Sequence, residues 1–155
     1  MNIALGSDHR GTQPIAALAA HLQSLGHTTT ILGDTSGRPV DYTDTAWLVS
    51  NSVAHGEADR GVLVCGTGIG MCISANKVHG IRAALAGDEL SAQLSRSHND
   101  SNVLCLSADL TGPVLAKRIV DVWMKTDFEG GRHARRVAKI GQIEEGHDPA
   151  TSASA

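Results

Sequence analysis

Short apolar segments alternate with helical segments along the whole chain. This alternation limits the possible folds of the chain more than any other feature of the sequence. Each apolar segment is followed by a stretch in which apolar residues recur at helical spacing, as at Ile15, Leu18 and Leu22. Pro14 and Pro113 stand where the first turn of a helix would begin. The predicted strands cover residues 2–8, 27–34, 61–65, 80–87 and 102–108.

Continuous apolar runs are typical of strands that are buried on both faces of a parallel sheet. Their alternation with helices predicts an α/β fold, a three-layer αβα sandwich around a Rossmann-like five-stranded parallel sheet. No linker or internal repeat divides the chain, so we predict one domain over residues 1–145 and a disordered tail over 146–155. In such sheets, functional loops lie beyond the carboxyl ends of the strands.

The bulk composition argues against several classes of function. Aromatic residues make up 3% of the chain and the formal net charge is -3, which does not suit a nucleic-acid-binding protein. No apolar run approaches the length of a membrane span, and the N-terminus does not resemble a secretory signal. The cysteines are odd in number and form no dense framework, so we expect reduced thiols, a cytoplasmic location and no nucleic-acid or membrane partner.

The stretch VCGTGIGMC places three glycines at alternate positions after the third predicted strand. Gly66, Gly68 and Gly70 allow successive N–H groups to converge on one point, where an anion can bind. The Gly-Lys-Ser/Thr ending of a P-loop is absent, and a dinucleotide-binding loop needs a glycine where Met71 stands. Two interpretations remain: the loop stabilises a negative oxygen that develops during a reaction, or it is only a tight strand-to-helix turn.

Cys65 stands at the mouth of this glycine loop. A helix N-terminus favours the thiolate form of a nearby cysteine, so Cys65 could act as a general base. The alternative is a small buried hydrophobic residue, which is the usual fate of a free cysteine. We expect that fate for Cys72 and Cys105.

Further candidates fall at both ends of the predicted sheet. Asp8 and His9, in SDHRG, follow the first strand and share an edge with Cys65. His98 and Asn99, in SHNDSN, precede the fifth strand and therefore lie at the opposite end. His98 can reach a site at Cys65 only through a long connection or from a neighbouring subunit, and a surface role is the alternative.

A cluster of arginines follows the Gly-Gly break at residues 130–131. Arg132 and Arg136 are four residues apart and share a helical face, with Arg135 beside them. Guanidinium groups bind phosphate in a forked geometry, although a solvated basic helix start is equally consistent with the pattern. The histidines form no HExxH motif and no Cys/His set with zinc spacing, so we predict no metal.

Six stretches together resemble the ribose-5-phosphate isomerase type B and galactose-6-phosphate isomerase family. They are GSDHRG, DYTDTA, VCGTGIGMCISANK, GIRAAL, SAQLSRSHNDSNVL and FEGGRHARRV. The resemblance implies a homodimer or a dimer of dimers with active sites at the dimer interface. It also implies interconversion of aldose and ketose sugar phosphates through an enediolate, with a small-molecule sugar phosphate as ligand and neither metal nor cofactor.

The same resemblance implies chemical roles for residues of the glycine loop and its surroundings. Cys65 would move the proton between C1 and C2 of the sugar, and the backbone of 66–70 would hold the enediolate oxygens. Thr67 and His98 would assist the opening of the sugar ring.

The resemblance implies binding roles for a second set of residues. Asp8 would bind sugar hydroxyls, and Tyr42 and Asn99 would line the site. The residues that would hold the phosphate are His9, Arg132 and Arg136.

Two positions relate this chain to variation within the family. Some relatives have serine in place of the cysteine and a glutamate base four residues later, but that position is Ile69 here, so Cys65 has no rival. Many relatives carry a basic residue after the fifth strand, which can help to hold the phosphate, where this chain has Asp109. Asp109 would repel phosphate if it pointed inward, so either it faces away or the phosphate end is arranged differently.

Ribose 5-phosphate to ribulose 5-phosphate is the favoured reaction. The alternatives are hexose 6-phosphates, such as allose or galactose 6-phosphate, and tetrose 4-phosphates. A tetrose 4-phosphate cannot close a five-membered ring through its phosphorylated oxygen, so the presence of His98 favours a cyclising sugar. A non-catalytic sugar-phosphate-binding subunit and a nucleotide-binding module stay open as other classes, although Cys65 and Thr67 argue against a protein that only binds.

Overall fold

Strands and helices alternate in the computed structural model, which describes residues 1–151. The strands are β1 (Asn2–Ser7), β2 (Thr28–Leu32), β3 (Arg60–Cys65), β4 (Ala83–Leu85) and β5 (Val103–Ser107). The helices of the described chain are α1 (Thr12–Ser24), α2 (Tyr42–Ala54), α3 (Ile69–Ala75), α4 (Glu89–Ser97), α5 (Pro113–Lys125) and α6 (Arg132–Glu144). The predicted elements are therefore confirmed; four of the strands are shorter than the sequence pattern suggested, and β3 begins one residue earlier.

The strands form one five-stranded sheet in the order β2-β1-β3-β5-β4, and every pair is parallel. The prediction of an α/β fold with a five-stranded parallel sheet is confirmed. Ser7 pairs with Val64, and Cys65 pairs with Ser107, so the carboxyl ends of the three central strands lie side by side. The loops that follow β1, β3 and β5 consequently meet at one edge of the sheet.

Helices cover both faces of the sheet. One face packs Leu5, Val64 and Leu106 against α1, α4 and α5. The other packs Leu63 and Cys65 against α2 and α3. Alternate residues of β3 thus point into opposite apolar layers, and Cys65 belongs to the layer that holds the two helices next to the glycine loop.

The two edge strands differ from the expectation that every strand is buried on both faces. Residues of β2 are exposed or half-buried along its whole length, and β4 has only three residues, of which Leu85 is exposed. An edge strand has a neighbour on one side only, so its side chains keep more contact with solvent. The apolar runs predicted the strands correctly but did not reveal which of them lie at the edges.

Helix α6 packs little against the rest of the chain that the structure describes. His133 is its only buried residue, while Ile140 and Ile143 are exposed. The Lys139 ammonium on α6 donates at 2.7 Å to the carbonyl oxygen of Pro149, which lies in the segment for which we predicted a disordered tail. Residues 152–155 of that predicted tail lie outside the described residues. Over residues 1–151, no helix combines the length and the apolar character that crossing a membrane would need.

Candidate active site

The glycine loop joins β3 directly to α3, with Cys65 as the last residue of the strand. The Cys65 side chain is almost fully buried, and its sulfur accepts a hydrogen bond from the Gly68 N–H at 3.2 Å. The Gly68 backbone is in the left-handed region with φ of 76°, which turns the chain sharply into the helix. The loop therefore folds back over the cysteine and points the Gly68 N–H toward its sulfur.

The loop after β5 holds the glycine loop from the other side. The Ser107 hydroxyl and the Asp109 N–H both donate to the Gly66 carbonyl oxygen, at 2.6 and 3.0 Å. The Ala108 N–H donates to the Cys65 carbonyl oxygen at 2.9 Å. With its carbonyl groups fixed in this way, the loop presents its N–H groups in one orientation, as a preorganised oxyanion site requires.

Two glycines of the loop are in close contact with neighbouring residues. A Cβ atom at Gly70 would lie 2.7 Å from the ring of Tyr42, so this tyrosine packs directly on the start of α3. A Cβ atom at Gly68 would lie 2.5 Å from Leu85 Cδ1 and 2.9 Å from the Leu106 carbonyl oxygen. Packing therefore requires glycine at both positions, and backbone conformation requires it at Gly68 as well.

Gly68→Ala is expected to lower the free energy of unfolding by about 2 to 4 kcal/mol, since left-handed strain adds to a clash with a backbone oxygen. Gly37→Ala is the matched control, because Gly37 also has positive φ, at 80°, but nothing lies within 4 Å of the added Cβ. We expect the control to lose only about 1 kcal/mol. Urea denaturation measures both, and equal losses would contradict the packing argument.

Asp8 and His9 follow β1 and lie at the same edge as Cys65, as predicted. Asp8 is buried, and its Oδ1 accepts hydrogen bonds from the N–H groups of Arg10 and Gly11 at 2.9 and 3.3 Å. These bonds orient the carboxylate, while His9 is exposed beside it. The loop after β1 thus offers a fixed acceptor and a free imidazole next to the glycine loop.

Asp109 does not carry an isolated charge. Its carboxylate forms a two-point ion pair with Arg10, with Nη2–Oδ1 at 2.7 Å and Nε–Oδ2 at 3.1 Å. The two residues are 99 positions apart in the chain and meet because β1, β3 and β5 are adjacent. We expected either that Asp109 faces away or that the phosphate end is arranged differently. The structure supports the second arrangement, in which Arg10 supplies a cation beside Asp109.

His98 lies at the other end of the sheet, as the sequence order of the elements predicts. It ends α4, before β5 begins at Val103, whereas Cys65 pairs with Ser107 at the end of β5. The start of β5, near His98, and its end, beside Cys65, are four residues apart, which corresponds to roughly 13 Å along the sheet. Within one chain, the structure therefore does not bring His98 and Asn99 together with Cys65.

The middle of the SHNDSN stretch is anchored in the protein interior. Asp100 has a φ of 47° and accepts hydrogen bonds from Arg82 at 2.9 Å and from Arg96 at 2.8 Å. The buried Ser101 hydroxyl accepts a hydrogen bond from the indole N–H of Trp123 at 2.8 Å. This network fixes the loop that presents His98 and leaves the histidine itself half-buried.

His98 stacks on His133, with ring centroids 4.1 Å apart and an angle of 4° between the planes. Glu129 faces both rings, at 3.9 Å from His98 Nε2 and 3.6 Å from His133 Nε2. Burial lowers the pKa of His133, and the nearby His98 and Arg132 act in the same direction. These neighbours therefore disfavour a second positive charge beside His98.

His98, Glu129 and His133 are the only group of three potential metal ligands that lies close together in residues 1–151, with ligand atoms within 4.8 Å of one another. A metal binds in the plane of an imidazole ring. Lone pairs that lie in two parallel planes cannot converge on one ion, so these rings would have to tilt first. The absence of a metal stays a prediction.

Arg132 and Arg136 lie exposed on α6, on either side of the buried His133. They share the end of the molecule with His98 and do not approach the glycine loop through any described contact. The candidate residues thus form two groups in one chain. The glycine-loop group consists of Asp8, His9, Tyr42, Cys65, Gly66, Thr67, Gly68 and Gly70, and the His98 group consists of His98, Asn99, Arg132 and Arg136.

Cys72 and Cys105 lie close to each other on the face of the sheet that also holds Cys65. Cys105 is buried as expected, but Cys72 is only half-buried and donates to the Ala83 carbonyl oxygen at 3.5 Å. Contact with the Cys105 thiol lowers the pKa of Cys72 to about 7, while the same contact raises the pKa of Cys105. Cys72 is therefore a half-buried thiol with a lowered pKa, which the expectation of an inert hydrophobic residue did not anticipate.

Comparison with known proteins identifies the family. The family model described as Ribose/Galactose Isomerase matches residues 3–140. The chain belongs to the ribose/galactose isomerase family. Ribose-5-phosphate isomerase B of Escherichia coli strain K12 is 46% identical to it, over 92% of this chain and 96% of that protein.

Two further family members bear on the choice of substrate. D-erythrulose-4-phosphate isomerase of Pectobacterium atrosepticum is 43% identical, over 93% of this chain and 95% of that protein. The crystal structure of ribose-5-phosphate isomerase B from Mycoplasma genitalium with bound ribulose-5-phosphate superposes with a TM-score of 0.89 at 41% identity, over 93% of this chain and 96% of that one. The family thus includes relatives named for a pentose phosphate and for a tetrose phosphate.

The structure adds three residues that the analysis of the sequence missed: Arg10, Glu129 and His133. Arg10 stands inside SDHRG, where its charge could have been noticed, but its partner Asp109 cannot be inferred from local sequence. His133 lies between arginines, in a segment that reads as exposed. Only the return of α6 toward α4 shows that it is buried against His98.

Proposed function

We propose that this chain interconverts an aldose phosphate and a ketose phosphate, with ribose 5-phosphate and ribulose 5-phosphate as the pair. The observation that carries the proposal is the placement of Cys65. A buried thiol at the end of a central strand lies under a glycine loop whose Gly68 N–H points at its sulfur. A protein that only binds sugar phosphates has no need of such a base.

In the proposed reaction, the Cys65 thiolate removes the proton from C2 of the open-chain aldose. The electron pair forms the C1–C2 double bond of a cis-enediolate, and the negative charge develops on the former carbonyl oxygen. N–H groups of residues 66–70 stabilise that oxygen. The O2 hydroxyl proton passes to O1, O2 becomes the new carbonyl oxygen, and Cys65 returns the first proton to C1 to give the ketose. No metal or cofactor takes part.

Ring opening needs an acid and a base beside the cyclic sugar, and we assign this role to Thr67 and His98. Asp8 binds the sugar hydroxyls, with Tyr42 and Asn99 lining the site. His9, Arg132 and Arg136 bind the phosphate. This assignment requires the glycine-loop group and the His98 group to come from two different chains.

We infer a homodimer, or a dimer of dimers, in which each site combines the two groups. Exposed apolar side chains support an interface of this kind. Ile69 and Ile73 lie exposed on α3 beside the glycine loop, and Ile140 and Ile143 lie exposed on α6. Such patches mark interaction surfaces. If α6 packs on the α3 surface of a second copy, its arginines come to the glycine loop of that copy.

A tetrose 4-phosphate is the second candidate substrate, because the Pectobacterium relative is named for D-erythrulose 4-phosphate. Hexose 6-phosphates such as allose or galactose 6-phosphate remain the third. The three unpaired cysteines support our prediction of a reducing compartment such as the cytoplasm.

The test is to measure kcat/KM over ribose 5-phosphate, allose 6-phosphate, galactose 6-phosphate and D-erythrulose 4-phosphate, together with deuterium uptake from solvent. We expect the highest value for ribose 5-phosphate and deuterium incorporation into its product. Isomerisation of the tetrose alone would select the second candidate. A protein that isomerises none of them and exchanges no deuterium would contradict the enzyme assignment.

A further inference from the structure

The Arg10–Asp109 ion pair spans the mouth of the glycine loop. It joins the loop after β1 to the loop after β5, and the strand between them, β3, leads into Gly66. A Cβ atom added to Gly66 would lie 3.1 Å from both Arg10 Cδ and Asp109 Oδ2. The ion pair therefore rests on the backbone of the glycine loop and is not a remote surface contact.

Both partners of the ion pair are fixed through their backbones as well. The Arg10 N–H donates to Asp8 Oδ1 at 2.9 Å, and the Asp109 N–H donates to the Gly66 carbonyl oxygen at 3.0 Å. The guanidinium thus loses little further freedom when it binds a ligand, which favours binding. A long arginine without these supports would have to be ordered by the ligand itself.

The ion pair leaves part of the guanidinium available. Asp109 takes the edge formed by Nε and Nη2, and no described residue accepts a hydrogen bond from Nη1. The Arg10 side chain is 55% exposed. Its open edge can therefore donate to an anion, and guanidinium groups prefer the oxygens of phosphate and carboxylate.

We propose that Arg10 is a further substrate-binding residue, which donates to the phosphate of the sugar phosphate, and that Asp109 is a positioning residue that holds it. This inference rests on the proposed function, because the ligand is the substrate of that reaction. Arg10 follows His9 directly in the chain, so these two candidate phosphate donors extend from the same loop. Arg10 also cancels the negative charge with which Asp109 would otherwise repel the phosphate.

The alternative role of Arg10 is charge cancellation alone, and a pair of variants separates the two. Arg10→Ala is expected to raise KM for ribose 5-phosphate, and Ki for inorganic phosphate, by about 10- to 100-fold, with kcat within about twofold. The double variant Arg10→Ala/Asp109→Asn removes the repelling charge too. We expect it to keep an increase of about 10-fold or more, since the donor is still missing.

Arg38→Ala is the matched control, because Arg38 forms an exposed ion pair with Asp34 at 2.9 Å in the loop that follows the edge strand β2. It is expected to keep the KM of the wild type. Arg10→Lys retains the positive charge but lacks the forked N–H donors of the guanidinium group. Its KM should therefore lie between those of the wild type and Arg10→Ala. Arg10→Gln serves in place of Arg10→Ala if the alanine variant melts markedly below the wild type.

A double variant that regains the wild-type KM would show that Arg10 only cancels Asp109, and would overturn the proposal. An Arg10→Ala variant with normal KM, or one that loses kcat alone, would overturn it as well. The dissociation constant for inorganic phosphate, measured by calorimetry, does not depend on turnover. A wild type that isomerises no sugar but binds phosphate through Arg10 would refute the proposed function and leave the anion site standing.

Discussion

Cys65→Ala is expected to lower kcat for ribose 5-phosphate by about 10²- to 10⁴-fold, the range that removal of a general base produces. Nothing else in the glycine loop can take the proton from carbon, since its glycines have no side chain and its other residues, Thr67 and Ile69, offer no basic group. Substrate binding should survive, because the assigned phosphate and hydroxyl ligands are other residues. Stopped turnover with a nearly unchanged dissociation constant is the expected combination.

Solvent-deuterium exchange and a second cysteine sharpen this experiment. Cys65→Ala should also stop deuterium uptake, which reports proton removal even where no net product forms. Cys72→Ser is the matched control, because Cys72 is another free thiol on the same face of the sheet and has a lowered pKa. It should keep near-normal turnover. A Cys65→Ala variant with a near-normal rate would exclude the cysteine base, whatever the control shows.

The second large effect concerns the division of the site between two chains. His98→Ala is expected to lower kcat/KM for the cyclic sugar by about 10²- to 10⁴-fold, as loss of a ring-opening acid–base group would. A dimer that combines one His98→Ala chain with one Cys65→Ala chain should recover activity. In one of its two sites, the His98→Ala chain supplies Cys65 and the Cys65→Ala chain supplies His98, so that site is complete. About half of the wild-type activity per dimer is therefore expected in a two-fold symmetric assembly.

The mixed dimer can be isolated by placing different affinity tags on the two chains and purifying through both. Its controls are the two parent homodimers, which should remain inactive, and a dimer of Cys65→Ala with Cys65→Ser, in which no site is intact. A stable mixed dimer without activity would contradict the shared site. A wild type that is monomeric and fully active would contradict it as well.

Local signals carried the prediction of the elements. The apolar runs and the prolines in first turns, Pro14 and Pro113, depend on residues within a few positions of one another, and they are found as predicted. The glycine loop could also be recognised, because its three glycines and its cysteine all fall within residues 65–70.

What the sequence did not reveal depends on contacts between distant segments. The partnership of Arg10 with Asp109 follows from the strand order β1-β3-β5, which no local pattern encodes. The burial of His133 depends on where α6 returns to the body of the chain. The exposure of β2 and β4 likewise depends on their places at the edges of the sheet.

The anchoring of SHNDSN has a consequence for how mutational data on this segment should be interpreted. Asp100 and Ser101 form hydrogen bonds with internal partners, whereas Asn99 is exposed and the half-buried His98 stacks on His133, yet replacing any of the four would reduce measured activity. Alanine at Ser101 or Asp100 should lower the melting temperature along with turnover, while alanine at His98 should lower turnover with a smaller change in melting temperature. Neighbouring residues of one short stretch thus divide into a reactive pair and a supporting pair, which a rate measurement alone would merge and a calorimeter would separate.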